Sequence, residues 1–254
     1  MTEIKSRKNP IMAHFKKLGA DGDYRRACCE FVCDGAKLLN EAIAAGAEIH
    51  AVITSGKCPD ALPDAVPVYF VTPDIIRTIS PLKNPQSVIF SCGIPAAAAA
   101  LDPAGTFIIL EGVQDPGNVG TVIRTADAFK MDGVILTGGC CDLYNPKTVR
   151  ATMGALFRQR VVLLELGAIA ALKAQGLALY GAALAGVCRD VRAVSLQNAA
   201  IAVGSEGGGL SQALLDLCDA RVMIPMAPDS ESLNAAVAAA ILMWEAKKHL
   251  FSIS

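Results

Sequence analysis

The sequence predicts an α/β protein in two parts, a small N-terminal module and a larger domain on a parallel sheet. Three observations predict it. Short apolar runs alternate with helix-like stretches along the chain. From position 106 onward those runs are continuously apolar, as in strands covered on both faces. The stretch 93–105 (GIPAAAAALDPAG) has low complexity and is bracketed by Gly and Pro, so it reads as a linker. The expected organisation is a domain over 1–95, a linker over 96–105 and a domain over 106–254.

The N-terminal module begins with a short basic amphipathic helix over 10–18. A second helix over 34–45 carries Leu38, Leu39 and Ile43 and stops at Gly46. Apolar runs at 49–54, 66–71 and 88–92 read as strands, with a helix at 74–79 before the last. In the larger domain the spacing predicts strands at 106–110, 133–137, 161–164, 177–182, 201–204 and 221–224. Helices are predicted at 120–130, 146–157, 168–174, 211–217 and 232–248. Between Ala235 and Trp244 the last helix is apolar on nearly every face, so it is expected to be buried all round, inside the domain or against another subunit.

Of the 254 residues, 53% are apolar and 19% charged, enough apolar mass for a sizeable core. A net charge of −1 excludes a polybasic nucleic-acid binder, yet the charge is uneven. Residues 1–26 carry Lys5, Arg7, Lys8, Lys16, Lys17, Arg25 and Arg26 against Glu3, Asp21 and Asp23. Such a face can meet phosphates, and an ordinary solvated segment accounts for it equally well. The N-terminus has no apolar targeting core, and the apolar run 235–244 falls well short of the ~20 residues that span a bilayer. Nine cysteines without a secretory signal suggest a soluble cytoplasmic protein with reduced thiols. Cys28, Cys29 and Cys33 lack a second pair to complete a metal site, so they read as small buried thiols, and no metal is expected.

Three segments could carry chemistry, each in a loop after a predicted strand, where open α/β sheets bind ligands. In the first, 110–126, the turn Asp115-Pro116-Gly117 sets Asn118 at a helix start, where its side chain caps the helix or faces a pocket. Arg124 follows among apolar neighbours, and alone it would read as a surface arginine. In the second, Asn145 caps a helix with Pro146 in its first turn. Lys147 and Arg150 share a face there that is either phosphate-binding or merely solvated. The third runs from Gly204-Ser205-Glu206-Gly207-Gly208-Gly209 through Ile224-Pro225-Met226 to Ser232-Leu233-Asn234. Its glycines allow close backbone approach to a ligand, but the spacing does not match a dinucleotide fingerprint.

Together the segments resemble the SpoU/TrmH family of RNA ribose 2′-O-methyltransferases, in the SPOUT superfamily. The residues that carry the resemblance are Asn118-x-Gly120-x-x-x-Arg124, Lys147-x-x-Arg150-Ala151-Thr152-x-Gly154, and Gly204-Ser205-Glu206-Gly207-x-Gly209 with Ile224-Pro225-Met226 and Glu231-Ser232-Leu233-Asn234. Thr152 stands where the family usually has serine. More loosely, Ser6 to Pro10, Arg25-Arg26 and the stretch from Asp34 resemble the small L30e-like substrate-binding domain often fused to it.

The resemblance implies a C-terminal SPOUT domain with a deep trefoil knot, a homodimer, and S-adenosylmethionine (AdoMet) as cofactor with no metal. It implies that Gly204, Ile224, Met226, Leu233 and Thr152 hold the cofactor, and that Arg124, Asn118, Glu206, Ser232 and Asn234 are catalytic. It places Arg7, Lys8, Arg25, Arg26, Lys147 and Arg150 on the RNA. The implied reaction is methyl transfer to a ribose 2′-hydroxyl of 23S ribosomal RNA. A transfer RNA substrate and a non-catalytic RNA-binding protein of the same fold are the alternatives. Arg124 would either act as base or remain cationic and stabilise a forming alkoxide; its high intrinsic pKa favours the second. Glu206 is a further candidate, as base or as orienter of Arg124.

Overall fold

The computed structural model describes residues 2–57, 62–81, 85–96, 100–227 and 231–251. The chain divides into two compact units, Met1–Ala96 with Asp142–Arg158, and Ala97–Cys141 with Gln159–Ser254. In this division the stretch 142–158, carrying Lys147, Arg150 and Thr152, groups with the first unit.

The first unit holds strands β1 (Thr2–Glu3), β2 (Glu30–Asp34), β3 (Ile49–Thr54), β4 (Val68–Phe70) and β5 (Val88–Gly93) in a mixed sheet of order β1-β4-β3-β5-β2. Helix α1 (Pro10–Ala20) starts where the Asn9 side chain accepts from Ile11 N at 3.0 Å, with Pro10 at the first position. It buries Met12, Phe15 and Leu18 in a cluster with Ile53, Ile76 and Ile89.

Helices α2 (Gly22–Cys28), α3 (Ala36–Ala44) and α4 (Pro73–Ile79) complete this part. The sequence reading missed α2 and β2 and began a helix at Asp34. That residue instead ends β2, a buried strand antiparallel to β5, and Gly35, at φ +124°, starts the turn into α3. Two carboxylates within five residues disguised β2, because side-chain polarity in the sequence does not show which carboxylates find partners.

The returning stretch adds α6 (Pro146–Ala151), capped by Asn145, whose side chain accepts from Lys147 N at 2.9 Å. The single helix expected over 146–157 breaks after Ala151. Met153 and Gly154 take positive φ of 51° and 96°, which no α-helix continues through. A 3₁₀ turn, Ala155–Phe157, follows, and Phe157 and Tyr144 stack on Phe31 of β2.

The second unit is a seven-stranded sheet in which every pairing is parallel. Its strands are β6 (Phe107–Glu111), β7 (Gly133–Thr137), β8 (Val161–Leu163), β9 (Ala178–Ala182), β10 (Cys188–Asp190), β11 (Ala199–Gly204) and β12 (Ala220–Met223), in the order β10-β12-β9-β11-β6-β7-β8. Helices α5 (Pro116–Ala128), α7 (Leu166–Ala174), α8 (Gln212–Leu217) and α9 (Ala235–Lys247) cover it. The apolar runs that predicted these strands are the buried centre of the domain: Ile108, Ile109, Leu110, Ile135 and Ile201 are fully or almost fully enclosed. Only β10 escaped the sequence reading, being a short polar strand at a sheet edge, where charge is an ordinary device against further pairing.

Helix α5 starts at Pro116 rather than at 120. Asp115 is its cap, accepting from Asn118 N at 2.8 Å, so Asn118 is a residue of the first turn with its side chain free for other partners. Helix α9 shows two different sides within the chain. Ala235, Ala236, Ala239, Leu242, Met243 and Ala246 are buried, but Val237, Ile241 and Trp244 stay 48%, 37% and 44% exposed. The helix is thus buried on one side and apolar on the other. Among the described residues no helix is long and apolar enough to cross a membrane.

Candidate functional site

Three neighbouring parallel strands, β9, β11 and β12, end at Ala182, Gly204 and Met223, and the loops that leave them enclose a cavity of about 340 Å³. That is within the usual range for a small-molecule site of roughly 300–1,000 Å³. Its walls are mostly apolar or backbone and include Gly204, Ile224, Met226 and Leu233, which the sequence assigned to the cofactor.

Gly204 has a steric reason to be glycine. A Cβ there would lie 2.0 Å from both the carbonyl carbon and oxygen of Gly209, because the loop folds back on itself. Gly209 N donates to Ser205 O at 2.9 Å, and Gly208 N to Ser205 Oγ at 3.2 Å. The far end of the loop is anchored by Glu111, a buried acid at the end of β6. Ser211 N and Ser211 Oγ donate to its two oxygens at 2.7 Å each, and the same hydroxyl accepts from Leu214 N to cap α8. The sequence reading did not single out Glu111. A lone carboxylate closing a five-residue apolar strand was the available signal, since such a group must find donors when buried.

Glu206 lies at the cavity wall and receives two side-chain amides. Asn118 Nδ2 donates to Glu206 Oε1 at 2.5 Å and Asn234 Nδ2 to the same oxygen at 2.9 Å; Asn234 Nδ2 also donates to Asn118 Oδ1 at 3.1 Å. Asn234 at the same time caps α9, its Oδ1 accepting from Ala236 N and Val237 N at 2.9 and 3.3 Å. One residue from each of three distant segments therefore meets in a single hydrogen-bonded cluster, and Ser232 lines the cavity beside it.

Arg124 is not part of this cluster. It lies six residues beyond Asn118, about 240° around α5, and its side chain is exposed. Among the described residues it has neither hydrogen bond nor ion pair. The notion of Glu206 as orienter of Arg124 is therefore replaced: the Glu206 oxygen is taken by the two asparagines. Thr152 belongs to the first unit and is fully buried, with its hydroxyl donating to Val149 O at 2.7 Å.

The residues assigned to RNA all belong to the first unit. Arg7, Lys8, Lys147 and Arg150 are exposed. Arg26 is exposed and paired with Asp23. Arg25 needs correction: it is 4% exposed, donating through Nε and Nη2 to Asp142 Oδ2 at 3.1 and 2.5 Å and through Nη1 to Leu18 O. Its charge is spent inside the protein, which sequence-level counting of basic residues cannot detect.

Of the three clustered thiols, only Cys33 is buried, and burial pushes its thiol well up. Cys28 is half-buried and Cys29 exposed. Among the described residues no group of three His, Cys, Asp or Glu side chains is arranged to hold a metal ion.

The model of a family described as the SpoU rRNA Methylase family matches residues 105–244. The 23S rRNA (guanosine(2553)-2′-O)-methyltransferase RlmP of Bacillus subtilis (strain 168) is 33% identical over 247 residues, covering 96% of this chain and 98% of its own. The crystal structure of an AdoMet-bound rRNA methyltransferase from Sinorhizobium meliloti superposes with a TM-score of 0.90 at 30% identity over 99% of both chains. The SpoU methyltransferase AviRb from Streptomyces viridochromogenes, solved in complex with AdoMet, gives a TM-score of 0.85 at 26% identity over 96% of this chain and 98% of its own.

Proposed function

The chain belongs to the SpoU rRNA methylase family, and from that premise we infer that it transfers the methyl group of AdoMet to a ribose 2′-hydroxyl of 23S ribosomal RNA. The carrying observation is the strand-end cavity with the Asn118–Glu206–Asn234 cluster on its rim. The cavity fits the cofactor: its size suits a nucleoside, its apolar and backbone walls suit an adenine, and at Gly204 no side chain can intrude. AdoMet supplies an activated methyl whose leaving group departs as a neutral thioether, so neither acid nor metal is required.

The protein's own residues then have to place the ribose oxygen and manage its proton. Glu206 accepts two amide donors on one oxygen and so fixes the two asparagines. We assign it the part of organiser of the rim, with Ser232 and the second amide N–H of Asn118 left to hold sugar oxygens. Arg124 stays cationic and stabilises negative charge forming on the 2′-oxygen, while solvent water or an RNA phosphate takes the proton. In a single chain it is solvated, where such an interaction is weak.

A second copy of the chain supplies the missing enclosure. On α5, Arg124 lies in an exposed stripe of small residues, Gly117, Thr121 and Ala128. The adjoining α9 exposes Val237, Ile241 and Trp244, with Trp244 against Phe129 at 5.6 Å. Such a two-helix face is suited to an isologous homodimer. Arg7, Lys8, Arg26, Lys147 and Arg150 of the first unit provide charge for the RNA backbone. The cytoplasm, where ribosomal RNA is made and thiols stay reduced, is the matching compartment.

The test is methyl transfer from labelled AdoMet to unmodified 23S rRNA and to tRNA, with the modified nucleotide mapped. Label in a 23S rRNA ribose is expected; label confined to tRNA would favour the alternative substrate. Arg124→Ala should abolish transfer while S-adenosylhomocysteine binds within about threefold of the parent. A variant retaining most activity would remove Arg124 from the reaction.

A further inference from the structure

Arg221 is a charged residue of the cavity wall that the reaction leaves unassigned. Among the described residues lining the cavity only Glu206 and Arg221 carry charge, and Glu206 is engaged by the asparagines. Arg221 lies on β12 in register with Gly181 of β9 and Cys188 of β10, and is half-buried. Its guanidinium rests against Gly186, where φ is +87° and a Cβ would fall 2.7 Å from Nη1. The positive φ favours glycine there, and its missing side chain leaves the guanidinium its present place.

Among the described residues no acid serves this cation. The carboxylates on the neighbouring stretches are already taken, Asp219 by Lys173 at 2.6 Å and Asp190 by Arg192 at 2.5 Å. Arg221 makes no hydrogen bond or ion pair among the described residues. A half-buried guanidinium facing an apolar cavity is costly without an anion, and a carboxylate matches its fork with two parallel hydrogen bonds. Of the groups on AdoMet, only the α-carboxylate is anionic.

We propose that Arg221 receives the α-carboxylate of AdoMet, so that the cavity selects nucleosides bearing an amino-acid tail. The assignment rests on the cofactor reading above. It makes Arg221 a cofactor-binding and specificity-determining residue, distinct from the rim cluster that faces the ribose.

The experiment is calorimetric binding of AdoMet and of decarboxylated AdoMet, which lacks only the carboxylate, to the full-length protein. The parent should bind the decarboxylated compound about 10- to 100-fold more weakly, the range of a charge-assisted pair. Arg221→Gln should bind AdoMet with that same loss and no longer distinguish the two compounds. Arg221→Lys, milder for folding and lacking the fork, should keep part of the preference. Equal affinity of the parent for both compounds overturns the assignment, as does a variant that weakens both equally. Failure of the parent to bind either one overturns the cofactor reading itself, and the assignment with it.

Discussion

A Cβ at Gly204 would stand 2.0 Å from the carbonyl carbon and oxygen of Gly209, more than an ångström inside ordinary contact. The carbonyl of Gly209 occupies the space any Cβ would need, and both contact atoms are backbone, so no rotamer change relieves the clash. Gly204→Ala should force the loop from Ser205 to Leu210 open, costing about 1–3 kcal/mol as local overpacking and AdoMet binding with it. Thermal unfolding together with calorimetry checks this; near-parental affinity would mean that the loop does not have to close around the ligand. Arg25 shows the opposite relation between residue type and role. A basic residue near the N-terminus looks like a phosphate contact, yet its neighbours enclose it and Asp142 neutralises it. Cys218 follows the same logic: burial pushes its thiol up to about 11, so it behaves as a packing residue rather than a nucleophile.

Among the elements, α9 joins the site to the fold through its first residue. The Asn234 oxygen caps the helix while its amide nitrogen serves Glu206 and Asn118. The two duties separate by substitution. Asn234→Ser keeps a capping oxygen and loses the amide, so the helix should lose no more than about 1 kcal/mol while methyl transfer falls at least about tenfold. Unfolding midpoint and turnover, measured on the same preparation, read the two effects; parental turnover in the serine variant would exclude the amide from the site. The same helix carries apolar side chains on both sides, and its sequence left the burial of the outer side to the domain or to another subunit. Alanines fill the inner side closely, and the outer side carries Val237, Ile241 and Trp244.

On the scale of the whole molecule, that outer side and the Arg124 stripe on α5 are the surface on which a second copy would close. Ile241→Asp places a charge at its middle without touching the cavity walls, and it should convert a dimer to monomers in sedimentation. Methyl transfer should fall in step while AdoMet binding is retained. A variant that is monomeric and fully active would detach Arg124 from any need of a partner.

Much of this was legible without coordinates. The apolar runs predicted the strands of the larger sheet because a parallel sheet covered on both faces writes burial directly into its sequence. The cap at Asn145 was legible in the same way, since it acts within two residues. The first and third of the glycine- and asparagine-bearing segments marked the site because close backbone approach and helix starts demand those residue types. What the sequence could not supply was partnership between distant side chains. That Glu206 belongs to Asn118 and Asn234, that Arg25 belongs to Asp142, that Arg221 is left without an acid, and that 142–158 packs with the N-terminal unit all depend on chain segments far apart in number brought within a few ångströms. Local propensity and periodicity act over a few residues, whereas a hydrogen bond across 88 positions exists only once the sheet has set both ends in place.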